Sequence, residues 1–295
     1  MRSIAHRSNR MYDESLKDVN RALELNPICS KAFSLRGVLH LDSNIIHKAN
    51  ADFESSIKYD ATNSDSYHYK GVMFARNADY KKAIEQYKLC LNHDPFNAIV
   101  MKRHITALVH LQQYNACLDE CSKLPNWRMQ DIDVLNYQGI CNYMLNNNTL
   151  SYRYHSQAIE VNNKHSKSHY YRSLPLLAER KYIEAENDLK YACLLNPLDK
   201  QAIFQYADLL ARCPDTKLRN QSAALNIVKK YIQSTESWEG YQKIAEMQNV
   251  NGDFKEALLT QETAIKLYEK SGRPTNSDVH RALLKQLDAY KKNMK

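Results

Sequence analysis

Glycine is scarce in this chain of 295 residues, with 6, and proline is nearly so, with 7. Sandwiches, barrels and parallel α/β folds use more turn-formers than that, so the shortage points to helices joined by tight turns. With so few glycines there is little room for a phosphate-cradling loop. The sequence has no P-loop, GxGxxG, GxSxG or HExxH pattern. It also lacks any apolar run long enough for a membrane helix. The start, MRSIAHRSNRMYDES, has charge but no apolar segment of the kind a secretory leader carries. No CxxC pair occurs among the seven cysteines. An odd set of scattered thiols argues against a disulfide framework and for a reducing, cytoplasmic setting.

The net charge of +8 lies mostly at the two ends. Arg2, Arg7 and Arg10 have no acid among them, and Lys285, Lys291, Lys292 and Lys295 face only Asp288. A nucleic-acid binder concentrates basic charge on the face that meets phosphates, which makes nucleic acid an unpromising partner here.

What the sequence does have is a period. LELNP ends at Pro27, LNHDP at Pro95 and LLNP at Pro197, separations that are multiples of 34. Small residues recur on the same step at Gly37, Gly71, Gly139, Ser173 and Ala207, with Ile105 the exception. A second small series is Ser15, Ala49, Ala83, Cys117, Ser151 and Ala185. A third is Ala22, Ser56, Cys90, Ala158 and Ala192, with Leu124 the exception. Large residues precede the second series by three: Tyr12, Ile46, Tyr80, Tyr114 and Tyr182. These sites house part of an unusual load of 20 tyrosines. After Ala207 the next equivalent is Ala245, four residues late, and the extra residues fall in ARCPDTKLRNQS, where Pro214 must end a helix. Each period reads as two antiparallel helices whose small residues let the backbones approach. One such hairpin cannot bury its apolar stripe alone, so neighbours must stack.

Small at position 8, aromatic at 17, Ala at 20 and 27 and Pro at 32 of a 34-residue unit resembles the tetratricopeptide repeat. Tyr67 to Pro95 carries the pattern best. The resemblance implies an all-α superhelical solenoid of antiparallel helix pairs. Units are expected near 1–29, 30–63, 64–97, 98–131, 132–165, 166–199, 200–237 and 238–271, followed over 272–295 by a capping helix and basic tail. The CPDTKLRN and NGDFKEAL stretches resemble units common in bacterial members. Three irregularities are expected. The first unit lacks the start of its first helix, so the true start lies upstream or this end is frayed. Pro125 shortens or kinks the second helix of the fourth unit. Together with the Asn146–Thr149 run in the turn of the fifth, it alters the geometry between residues 120 and 150.

In this family the first helix of each unit lines a concave groove. The matching positions offer His68, Tyr69 and Arg76, then Lys102, Arg103 and His110, then Asn136 and Tyr137, then Tyr170 and Tyr171. Such a groove suits a protein or peptide segment with apolar anchors and an acidic residue near Lys102 and Arg103. Some members grip a C-terminal carboxylate with Lys and Asn at positions 5 and 9. No unit here carries that pair: the third has His68 and Val72, the fourth Lys102 and Thr106. Of the asparagine ladder of glycosyltransferase relatives, only Asn136 could be a rung.

The remaining candidates are structural. Cys117 and Cys121 fall on inter-helix packing positions, and Asp119 and Glu120 on a solvated face. His165 and His169 straddle the join between units, so they are not expected to hold a metal. No catalytic residue, metal or cofactor is expected. The reading is a non-enzymatic scaffold or adaptor. Its alternatives are a basic helical-repeat RNA binder and the regulatory repeat region of a larger enzyme.

Overall fold

The structure is a computed structural model that describes residues 2–124 and 131–293, with side chains from residue 11 onward. Among the described residues there are sixteen helices and no strand. The chain divides into two compact units, Met1–Met129 and Gln130–Lys295.

The first unit holds α1 (Arg2–Leu25), α2 (Ser30–Asp42), α3 (Ile46–Tyr59), α4 (Ser64–Arg76), α5 (Tyr80–His93), α6 (Ala98–His110) and α7 (Tyr114–Ser122). The second holds α8 (Ile132–Met144), α9 (Asn148–Val161), α10 (Ser166–Ala178), α11 (Tyr182–Leu195), α12 (Lys200–Arg212), α13 (Gln221–Thr235), α14 (Trp238–Asn251), α15 (Phe254–Lys270) and α16 (Asp278–Asn293). From α2 to α12, first helices start 34 residues apart, and so do second helices from α3 to α11.

The period is also written in the backbone. Asn44, Ala78, Gln112, Asn146 and Arg180 all have φ between 58° and 63°, and each sits between the two helices of its hairpin. A bond from three residues beyond the helix back to its last turn closes each one: Asp79 N donates to Phe74 O at 3.0 Å, Gln113 N to Leu108 O at 2.9 Å. That is a helix terminator that needs one left-handed residue, and this chain builds it largely without glycine. Glycine takes the left-handed conformation only later in the chain, at Gly252 before α15 and at Gly272 after it. The asparagines of the 146–149 run thus take the same turn as the hairpins closed at Asn44, Ala78, Gln112 and Arg180 and do not distort it.

Hairpin packing follows a rule of volume. A Cβ on Gly37 would lie 2.6 Å from the Phe53 ring, on Gly71 2.5 Å from the Tyr87 ring, and on Gly139 2.4 Å from the His155 ring. Each pair is sixteen residues apart, on facing helices. Where the first member is large, the second is small: Ile105 stands opposite Cys121 in the sequence register, and both are fully buried. Ser173 and Leu189 are the intermediate case. The Ile105 exception is therefore compensated within its own hairpin.

One expectation is revised. The first unit was to contribute a truncated helix pair, whereas α1 runs unbroken from Arg2 to Leu25 through the position where the other hairpins turn. In the fourth hairpin α7 has 9 residues against 14 in α3, α5, α9 and α11. Pro125, whose effect was anticipated there, lies outside the described residues. The inserted segment does end α12 before Pro214, and Arg219 closes it by donating from Nε and Nη2 to Cys213 O at 3.0 and 2.9 Å. The terminal helix α16 caps α15: Gln261 Nε2 donates to Leu283 O at 2.9 Å, and Leu283 packs with Ile265 and Tyr268.

Candidate partner-binding faces

Adjacent hairpins are joined by cations that reach sixteen residues in both directions. Arg36, on α2, donates from Nε and Nη2 to the buried Asp52 carboxylate, with Nη2 to Oδ1 at 2.7 Å, and from Nη1 to Asn20 Oδ1 at 3.0 Å. His40 Nδ1 donates to the second Asp52 oxygen at 2.9 Å. Arg172, on α10, repeats the arrangement with Asp188 on α11 and Ser156 on α9, while His169 Nδ1 donates to Asp188 at 3.1 Å. Burial alone would raise the Asp188 carboxyl; the bonds from Arg172 and His169 outweigh it and hold the pKa below its ordinary value.

In the first unit, His68 is buried and stacks on Tyr69 with ring centroids 4.6 Å apart. Its Nε2 has no hydrogen-bond partner among the described residues. Burial, then the charge of Arg103, lowers its pKa, so a neutral ring occupies the site. Tyr69 is half-buried against Phe53, and Arg103 is exposed. Lys102 is half-buried, and its backbone carbonyl accepts from Thr106 Oγ1 at 2.8 Å. Arg76 is committed elsewhere: it donates to Leu41 O at 3.1 Å and to Asp42 Oδ1 at 3.3 Å, tying its hairpin to the preceding one. His110 is exposed and lies flat on Tyr80, 4.4 Å between centroids, at the turn end of its hairpin. Of the first-unit candidates, His68, Tyr69 and Arg103 form one neighbourhood, and Arg76 and His110 are at the turns.

In the second unit, Tyr137, Tyr170 and Tyr171 are half-buried. The rings of Tyr170 and Tyr171 are 5.3 Å apart, and Tyr171 stacks on His155 at 5.6 Å. Burial raises the Tyr170 hydroxyl to about 12 and shifts that of Tyr171 the same way, so both remain protonated donors. Asn136 differs in kind. It is buried, donating from Nδ2 to Ser168 Oγ at 2.9 Å and accepting at Oδ1 from His155 Nδ1 at 3.0 Å. Its amide is spent inside the hairpin stack.

The two histidines at the join between hairpins are also occupied. His165 precedes α10 and pairs with Ser168 at 2.8 Å, while His169 is held by Asp188 and donates from Nε2 to Asn163 O at 2.9 Å. Among the described residues no group of three or more His, Cys, Asp or Glu side chains is placed to hold a metal ion. None of the seven cysteines is in a disulfide. Burial raises Cys90 to about 11 and Cys193 to about 12, which keeps both as unreactive thiols. No described helix is long and apolar enough to cross a membrane.

No known protein-family profile matches the chain. Its sequence is similar to the Hsp70-Hsp90 organizing protein of Triticum aestivum, 24% identical over 128 residues, which are 42% of this chain and 22% of that protein. The aligned region thus spans about a fifth of that relative's length. Among solved structures, a tetratricopeptide repeat protein from Parabacteroides merdae superposes with a TM-score of 0.68 at 16% identity, over 87% of this chain and 98% of that one. YrrB, described as a tetratricopeptide-repeat protein with an unusual peptide-binding site, superposes with a TM-score of 0.56 at 17% identity, over 63% of this chain and 96% of its own. The fold is that of the tetratricopeptide-repeat proteins.

Proposed function

We propose that the chain is a non-enzymatic scaffold that holds a segment of a partner protein on the exposed face of its first helices. The observation that supports this most directly is the Tyr170–Tyr171 pair. Its rings are half-buried in the hairpin stack, with protonated hydroxyls, and their open sides are a ready apolar anchor with a polar tip. In the first unit, Tyr69 beside the exposed Arg103 offers the same combination with a positive charge, which suits an acidic residue of the partner. A preformed helical surface loses little order on binding, so the cost falls on the partner's segment. The likeness to an Hsp70-Hsp90 organizing protein and to a peptide-binding repeat protein favours a protein ligand. No unit carries the Lys and Asn pair that grips a C-terminal carboxylate, so the contact is a different one. The seven unpaired thiols favour a reducing, cytoplasmic setting.

The test is affinity capture from the cells the protein comes from, using the wild type, Tyr170→Ala/Tyr171→Ala and Arg103→Glu. Proteins retained by the wild type and lost from either variant support the reading. Retention unchanged in both variants, or recovery of RNA alone with a steep salt dependence, would sink it.

A further inference from the structure

One crevice of the first unit is lined by residues other than the groove candidates His68, Tyr69 and Arg76. It lies between α3 and α4, with a volume of about 630 Å³. Ile46, Met73 and Phe74 give it an apolar floor, and Asn44, Asn50 and Asn77 stand along it. A second crevice, of about 400 Å³, is its counterpart one repeat earlier, against α1, α2 and α3. Asn20, Arg36 and His40 of the second take the sequence positions that Glu54, Lys70 and Phe74 take in the first. The two differ in chemistry. The larger is apolar where the smaller is charged, because Phe74 replaces His40.

In the smaller crevice, Asp52 is the one carboxylate in the lining; Arg36 already neutralises it, and His40 bonds its second oxygen. The Lys48 ammonium beside them has no partner among the described residues, so the lining carries surplus positive charge. In the larger crevice, the side-chain amides of Asn44 and Asn77 have no partner among the described residues. An amide offers a donor and an acceptor together, which is the pattern of a peptide backbone. The Glu54–Lys70 contact at 3.3 Å leaves no net charge there.

We propose that these two crevices are a second docking surface, and that its occupant is an extended peptide segment. An apolar side chain enters the Ile46–Met73–Phe74 crevice, the asparagine amides bond the segment's backbone, and a carboxylate side chain meets Lys48. Adjacent packed helices are about 8–10 Å apart. An extended chain advances about 3.3 Å per residue. Lys48 lines one crevice and Ile46 the other, two residues apart on α3, so a segment that crosses the width of this helix places its acidic and apolar residues about three positions apart. The lining of this surface holds none of His68, Tyr69 and Arg103, so one surface can exist without the other.

The experiment is selection from a random dodecapeptide library against the full chain, followed by fluorescence anisotropy on the enriched peptides. The expected result is enrichment of an acidic residue about three positions from a large apolar one. Affinity should fall roughly tenfold or more in Lys48→Glu/Asn77→Ala and stay within about twofold in Arg103→Glu, the size expected for reversing one close charge and removing one amide. Lys48 and Asn77 are exposed, so the double variant should melt with the wild type. Should its melting differ, Lys48→Met alone is the control, with a smaller loss in the same direction. Enriched peptides that lack an acidic residue, or that bind the Lys48 variants as tightly as the wild type, would overturn the proposal. Peptides lost only in Arg103→Glu would overturn it too, while supporting the first-helix face. Failure to enrich any peptide would count against it equally.

Discussion

Arg172 donates to both oxygens of Asp188 at 2.8 Å, from helices that face one another across a single hairpin. Asp188 is almost wholly buried and also holds His169, so this carboxylate is the polar centre of its hairpin. Removing one partner leaves a buried charge uncompensated, which costs about 3 kcal/mol or more. Asp188→Ala should lower the urea midpoint accordingly. Arg172→Met combined with Asp188→Leu should recover much of that loss, because nothing charged is then left behind. A double variant no better than the single one would show that the clamp is stabilising in its own right.

The volume rule makes a sharper prediction. Gly71→Ile alone forces a side chain into the Tyr87 ring and should cost about 1–3 kcal/mol. Tyr87→Cys alone opens a cavity in a fully buried site, at about 3 kcal/mol or more. The double change copies the Ile105 and Cys121 combination of the fourth hairpin and should cost less than the sum of the two. Additive losses in a thermal or urea double-mutant cycle would refute the compensation.

The same two pairs show what could be read from the sequence and what could not. Gly37, Gly71 and Gly139 stand out because a small residue on a fixed step has one simple cause, a close backbone approach. Their partners Phe53, Tyr87 and His155 do not stand out, because any residue of matching volume serves and the identities differ. Ile105 therefore looked like a defect, while Cys121, which balances it, looked like an ordinary small core residue. The Arg36–Asp52 and Arg172–Asp188 clamps were missed for a related reason: they stand four hairpins apart, with only His104 and Glu120, 3.8 Å apart, at the same register midway between them. Asn136 was placed on the groove because its repeat position faces that way in the family. The structure turns it inward because His155, which fills the Gly139 gap, needs an acceptor for its ring N–H. The helix pairs after the first unit were legible, from the steps at Tyr80, Tyr114 and Tyr182 that now open α5, α7 and α11.

His155 also makes stability depend on pH. Burial, then the charge of Arg172, brings its pKa from 6.5 down to about 3. The folded state thus refuses a proton that the unfolded chain accepts below pH 6.5. This contribution is complete above 6.5 and is lost as pH falls from there toward 3. At pH 5 the loss from this residue is about 2 kcal/mol. His68 and His104, both lowered chiefly by burial, act in the same direction. The Phe53 ring fills the matching site in the second hairpin, so His155→Phe is the natural control. Urea midpoints of the wild type should fall more steeply between pH 7 and 5 than those of His155→Phe. Equal slopes would mean that the ring takes up its proton in the folded state.

Pro175 is the one proline inside a described helix, three residues before the end of α10, and it is buried. It has no N–H to give the carbonyl of Tyr171, four residues earlier, and its ring crowds that turn. Ser173 Oγ meanwhile donates to Tyr170 O at 2.6 Å, so the altered turn coincides with the Tyr170–Tyr171 pair proposed to anchor a partner. If stability alone governed this position, Pro175→Ala would be a pure gain of about 1–3 kcal/mol. The expected outcome is that gain in thermal unfolding together with weaker retention of whatever the wild type captures, because straightening the turn moves both rings. A stabilised variant that binds its partner as well as the wild type would separate the proline from function and leave it as a tolerated defect of the repeat. A variant that is not stabilised would mean that packing of the proline ring among its neighbours already offsets the missing hydrogen bond.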